Sequence, residues 1–128
     1  NDTYYTIVRI GSQAFKNCDF VTSIVMSDSI KSIGSEAFSG CGKLESITLS
    51  KSIERISNNL FNNCSSLKSI TIPDSVKFID YMAFANCSSL ESVVIPDAVK
   101  TIGYYVFENC NNLNSIVFGT SVESIGTI

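Results

Sequence analysis

The sequence predicts a repeat solenoid, mainly β, whose turns stack a parallel sheet and short 3₁₀ or α turns on one another. Three observations predict it. Phe15, Phe38, Phe61, Phe84 and Phe107 lie 23 residues apart, and so do Cys18, Cys41, Cys64, Cys87 and Cys110, all five cysteines of the chain. Five further apolar columns, starting at Val21, Ile24, Met26, Ile30 and Ile33, keep the same spacing. A short unit with seven apolar positions cannot bury them alone, whereas units stacked in register cover one another's apolar face.

One unit reads F-x-x-C-x-x-L-x-x-I-x-I-x-x-x-V-x-x-I. The chain is expected to form a single domain of a half unit, 1–14, followed by units 15–37, 38–60, 61–83, 84–106 and 107–128. The opening A-F-x-x-C-x-x-L places apolar residues three apart, which fits one tight helical turn with its inner side packed. In L-x-x-I-x-I the apolar positions alternate with small or β-branched residues, as in "SITIP" and "SVVIP", the pattern of a strand with one face inward. Stacked strands then form a parallel sheet with rungs about 4.8 Å apart. The tail "VKFI" or "VKTI" suits a second, weaker strand. Gly11, Gly34, Gly103 and Gly126 mark a bend that needs small size or positive φ.

Charge supports the register. Glu45, Lys68 and Glu91 share one column and alternate in sign, as do Asp28, Lys51 and Asp74, and Lys31, Glu54 and Lys77. One-unit stacking sets opposite charges on adjacent rungs, worth a modest stabilisation each. Asp97 and Lys100 break the alternation.

Composition narrows the function classes. Apolar residues make up 45% of 128, which fits a folded chain rather than a disordered one. Nine basic against twelve acidic residues offer nucleic acid no attraction. No apolar run approaches the roughly 18 residues of a spanning helix, so direct membrane insertion is not expected. The first ten residues, "NDTYYTIVRI", do not read as a signal peptide. Histidine is absent, which removes the commonest general base, the commonest zinc ligand and the histidine-paired nucleophiles. No phosphate-cradling glycine loop, EF-hand or nucleophile elbow occurs. No enzymatic activity, metal or cofactor is expected.

Several features are candidates for a site. The cysteine column reads as a metal site, a disulfide framework, a redox centre or a file of buried thiols. A 23-residue spacing lacks the close pairs of zinc sites, and five side chains pointing one way cannot all pair, which favours buried thiols acting as small hydrophobes. The outward strand face runs Ser23, Val25, Ser27; Ser46, Thr48, Ser50; Ser69, Thr71, Pro73; Ser92, Val94, Pro96; and Ser115, Val117, Gly119. It reads either as a shallow docking surface, with Ser46, Thr48, Ser69, Thr71, Ser92 and Val94 as contact residues, or as a plain solvated sheet lacking the Trp, Tyr and Arg of binding hot spots. The loop before each Phe changes along the chain to Tyr81-Met82 and Tyr104-Tyr105, close to Phe78. Tyr81, Tyr104 and Tyr105 form either an aromatic contact site or local packing between loops. Tyr4, Tyr5 and Phe20 similarly could cover the N-terminal end. The Asp28, Asp74 and Asp97 column lacks the converging carboxylates of a calcium site. N-x-S/T sequons at Asn1, Asn63 and Asn86 are incidental to the repeat unless the chain is glycosylated.

The unit "NCSSLKSITIPDSVKFI" resembles the BspA-like class of leucine-rich repeats over essentially the whole chain. The resemblance implies a right-handed solenoid with the parallel sheet on its concave side. It implies a cell-surface or secreted protein and adhesion or binding to a protein or glycan partner, with a structural spacer as the alternative. Where the commoner leucine-rich consensus carries an Asn ladder after the strand, this chain has Ser29, Ser52, Ser75, Ala98 and Ser121. With no polar capping unit in the sequence, a piece of a longer array is expected, with end-to-end self-association as one way to cover its ends.

Overall fold

The computed structural model describes residues 5–128, so Asn1 and Tyr4 lie outside the described residues. Ten short strands follow in chain order: β1 (Arg9–Ile10), β2 (Ser23–Val25), β3 (Ser32–Ile33), β4 (Ser46–Thr48), β5 (Arg55–Ile56), β6 (Phe78–Ile79), β7 (Ser92–Val94), β8 (Thr101–Ile102), β9 (Ser115–Val117) and β10 (Ser124–Ile125). Every pairing is parallel and joins residues 23 apart, as in Ile24 with Ile47 and Ile56 with Ile79. The repeat period is thus the rung of the coil, and the chain is a β-solenoid.

The two strand sets differ in length and in continuity. The tail strands are the shorter, two residues against three, as expected, yet they form the longest sheet, in the order β5, β6, β8, β10, with β1 and β3 as a separate pair. The L-x-x-I-x-I strands pair only as β2 with β4 and β7 with β9. Between these pairs, residues 69–71 contribute one bridge, from Ser69 to Ser92. The sequence of that stretch offers no reason for the gap.

The turn segment is not helical. Its amide hydrogens divide between two kinds of partner. Leu60, Asn62, Cys64 and Leu67 donate to the carbonyls of Ser57, Asn59, Phe61 and Cys64, three residues back. Asn59, Phe61 and Asn63 donate instead to Tyr81, Ala83 and Ala85 of the next turn at 2.8–2.9 Å. The same division recurs from Gln13 to Asn17 and from Glu36 to Gly40. The expected three-residue bonds are therefore present, but alternate amides build a ladder to the neighbouring turn. Positive φ keeps the segment from closing into a helix. It occurs at Gln13, Glu36, Asn59, Met82 and Tyr105, and again at Asn17, Gly40, Asn63, Asn86 and Asn109. Asn tolerates this conformation better than most residues, which accounts for the second column.

That finding decides between the two readings of the bend glycines, small size and positive φ, in favour of the first. Gly34, Gly103 and Gly126 do not need positive φ. A Cβ on Gly103 would lie 2.8 Å from the Tyr81 nitrogen, and one on Gly126 would lie 2.8 Å from backbone of Gly103 and Tyr104. Close approach of successive turns is what demands glycine there.

The core is the set of seven files. Phe38, Phe61, Phe84, Cys41, Cys64, Cys87, Leu44, Leu67 and Leu90 are fully buried. The five Phe rings stack in one continuous column, with centroids 5.4–5.8 Å apart and planes within 12°. Burial fades toward the N-terminal end of the column, where Phe15 is 41% exposed.

Two further expectations change. Ser50, Pro73 and Pro96 are buried, so the three inner turns present two outward strand positions, not three, whereas Ser23, Val25 and Ser27 of the first turn are all exposed. Tyr5 and Phe20 are exposed at 86% and 78%; Tyr5 borders the cleft at the N-terminal turn, and Phe20 does not.

Candidate binding surface

The charged columns do less pairing than their alternation promised. Among the described residues, Lys77–Glu54 at 3.3 Å is the one ion pair within the expected columns. Asp28 accepts the backbone amide of Lys51 at 2.9 Å rather than its ammonium, and Asp97 accepts that of Thr120 at 3.1 Å. The aspartates thus serve the backbone of the next turn. Lys16 pairs with Glu36, and this bond, with one from Gln13, lowers the Glu36 carboxyl below its usual range.

The serine column has a similar task. Ser29, Ser52 and Ser75 donate their hydroxyls to the carbonyls of Ile7, Asp28 and Ile53 in the preceding turn, at 2.8, 2.6 and 2.6 Å. No described buried side-chain nitrogen or oxygen lacks a partner.

The cysteines are all free thiols. Cys41, Cys64, Cys87 and Cys110 each donate Sγ–H to the carbonyl of a Phe in the preceding turn, at 3.0–3.2 Å. These carbonyls belong to Phe15, Phe38, Phe61 and Phe84, each already bonded to the amide of the cysteine in its own turn. The column is thus more than a set of small hydrophobes: it is a weak donor file tied to the aromatic stack. Burial pushes the Cys41 and Cys110 thiols up, takes Cys64 to about 12, and raises Cys87 well above the ordinary thiol range. A thiol held neutral is a poor nucleophile and a poor metal ligand. Among the described residues, no three of His, Cys, Asp and Glu gather where they could hold a metal ion.

The strand-face candidates are exposed as expected. Ser46 and Thr48 lie on β4, Ser92 and Val94 on β7, and Ser69 and Thr71 in the gap between them. They form a flat hydroxyl and methyl surface without an anchor or a cleft.

The tyrosines differ. Tyr81, Tyr104 and Tyr105 are exposed and gathered at one corner. Tyr105 meets Tyr81 edge to face at 6.1 Å and 84°, and meets Tyr104 at 6.3 Å and 47°. The corner borders β6, β8 and β10, on the tail-strand sheet, so the structure joins the tyrosines to one another and not to the strand-face candidates. A groove of about 270 Å³ runs here, lined by Tyr81 and Tyr104 with Asn58, Asp80, Thr101 and Ser124. Beside it, Arg55 donates to both carboxylate oxygens of Asp80, at 2.7 and 2.9 Å, and its guanidinium lies 4.5 Å over the Phe78 ring. The sequence reading missed Asp80 and Arg55. The available signal was a departure from pattern: Asp80 occupies the column of Gly34, Gly103 and Gly126. A larger, apolar cleft of about 780 Å³ opens at the N-terminal turn among Ile7, Ile10, Phe15, Ile24, Met26 and Ile30.

Comparison with known proteins gives consistent results. The family model for the BspA type leucine rich repeat region matches residues 8–128 as six copies. Among solved structures, the chain is similar to a leucine rich cell surface protein from Faecalibacterium prausnitzii, at 38% identity and a TM-score of 0.85 over 93% of this chain. It is similar to a leucine-rich repeat protein from Bacteroides ovatus, at 36% identity and a TM-score of 0.86 over 91% of the chain. It is also similar to a leucine rich repeat protein of T. pallidum, at 30% identity and a TM-score of 0.83 over 94% of the chain. The chain spans 31% of the length of each of the first two and 67% of the third. No curated protein matches the sequence.

Proposed function

The chain belongs to the BspA-type leucine-rich repeat family, and from that membership we propose a non-enzymatic binding or adhesion module, displayed at a cell surface or secreted, that recognises a protein or glycan partner through its repeat surface. The observation that carries the reading is the tyrosine corner. Elsewhere on the inner turns the outward positions of the L-x-x-I-x-I strands are Ser, Thr and Val, and no described buried side-chain polar atom lacks a partner. At Tyr81, Tyr104 and Tyr105 three large amphipathic rings face solvent beside a groove, the residue type that dominates binding hot spots. A cell-surface location is supported by the F. prausnitzii relative, which is described as a cell surface protein.

The test is an array of extracellular-matrix proteins and glycans probed with the wild-type chain, a Tyr81→Ala/Tyr104→Ala/Tyr105→Ala variant and a Thr48→Glu/Thr71→Glu variant. Binding by the wild type, lost in one variant with an unchanged melting temperature, is the expected outcome and locates the surface. Silence across the array favours a second reading, a structural spacer. That reading has its own support, since the strand face carries no Trp, Tyr or Arg at its exposed positions.

A further inference from the structure

Building on the binding-module reading, we infer that the groove between Tyr81 and Tyr104 is a subsite for a neutral sugar ring of a glycan chain. Three features of the corner carry the inference.

The first is the orientation of the rings. In the core the Phe rings lie nearly parallel and use their faces on one another, at 6–12° between planes. The tyrosines meet edge to face and tilted. No two of these neighbouring Tyr rings stack, and Tyr104, 61% exposed, keeps much of its ring surface in solvent. An aromatic face is weakly negative. It therefore attracts the polarised C–H groups on the flat side of a pyranose ring.

The second is the hydrogen-bonding inventory. Thr101, Ser124 and the tyrosine hydroxyls can donate and accept, as can the Asn58 amide, while the Asp80 carboxylate only accepts. Arg55 holds that carboxylate in place through both of its oxygens, leaving lone pairs for further donors. A ligand that satisfies this set must bring donors as well as acceptors. Adjacent sugar hydroxyls do so. A proline-rich peptide, the other common occupant of tyrosine-lined grooves, presents mainly carbonyl acceptors and would bring no donor to the remaining lone pairs of Asp80.

The third is charge and size. Among the described residues Asp80 is the one charged residue lining the groove, the cation beside it, Arg55, is taken up by that carboxylate, and the chain is acidic overall. Sulfated and sialylated sugars are therefore disfavoured. At about 270 Å³ the groove falls just below pockets that enclose a drug-sized ligand, typically about 300–1,000 Å³. It suits one ring of a longer chain, with affinity supplied by repetition of the ligand at a surface rather than by a single contact.

Protein-observed NMR with the tyrosine ring signals assigned tests the subsite. The probes are cellobiose, maltotriose, lactose and N,N′-diacetylchitobiose, alongside a sulfated disaccharide and a decaproline peptide. At least one neutral sugar should shift the Tyr81 and Tyr104 ring signals in a saturable way. Tyr104→Ala should weaken that sugar at least about tenfold and Asp80→Asn by a smaller factor, both with an unchanged melting temperature. Phe20→Ala, at an exposed aromatic away from the groove, should leave binding intact. The assignment is overturned if no neutral sugar shifts these signals, or if Tyr104→Ala binds as wild type does. If decaproline or a matrix protein shifts the signals and the sugars do not, the sugar assignment fails while the binding-module reading stands. Silence from every probe here and on the protein and glycan array removes both.

Discussion

At the residue scale, the cysteine and phenylalanine files show how position in the repeat fixes chemistry. Cys64 sits fully buried with its Sγ–H on the Phe38 carbonyl, which also receives the Cys41 amide. Removing the thiol therefore orphans no acceptor, and Cys64→Ala should cost only about 1–2 kcal/mol, a small volume and one weak hydrogen bond. Phe61 is sandwiched between Phe38 and Phe84, and Phe61→Ala should cost about 3–5 kcal/mol. Chemical denaturation of the two variants checks the order. The thiols also impose a pH dependence. Burial raises Cys64 from an ordinary value of 9.0 to about 12, so the folded state keeps a proton that the unfolded chain releases. The resulting stabilisation is complete below about pH 9 and is lost as pH climbs toward 12. Melting temperatures taken from about pH 8 to about pH 11 should fall, and Cys64→Ala should fall less steeply. In native protein a thiol reagent should label half-buried Cys18 ahead of the other four. Equal labelling of all five would show the file to be open.

At the scale of the element, the turn segment marks the boundary of what the sequence conveyed. Apolar residues three apart correctly indicated three-residue hydrogen bonds. They could not indicate that alternate amides point to the next turn, because that ladder depends on two left-handed residues per turn. One of those columns was visible in hindsight as Asn17, Gly40, Asn63, Asn86 and Asn109. The other, Gln13, Glu36, Asn59, Met82 and Tyr105, carries no compositional mark, since the stacked neighbours impose the conformation. Asn63 is exposed at φ 64°, so Asn63→Ala should lose about 1 kcal/mol from the left-handed penalty, while Asn63→Gly should be nearly neutral. Equal effects of the two substitutions in thermal melts would contradict a conformational origin. The strands show the complementary limit: alternation located the L-x-x-I-x-I set and the tail strands are the shorter as expected, but which set forms the continuous ladder was not legible, because pairing between turns and not local pattern decides it.

At the scale of the whole molecule, periodicity made the architecture legible and left the function to its exceptions. Seven columns at one spacing fixed the register of every strand pair, and the family comparison agrees. The candidate surface was half legible. Tyr81, Tyr104 and Tyr105 stood out because they interrupt the repeat, whereas the groove beside them needed Asp80 and Arg55 from adjacent turns, a juxtaposition that single columns do not reveal. A stacked coil is stabilised by each turn against its neighbours alone. That makes nearest-neighbour contact the central claim, and through-space NMR contacts between the phenylalanine rings test it most directly. Ring-to-ring cross-peaks should join Phe15 to Phe38, Phe38 to Phe61, Phe61 to Phe84 and Phe84 to Phe107, and should be absent between Phe15 and Phe61. Missing neighbour peaks, or peaks between rings two turns apart, would contradict the stacked register.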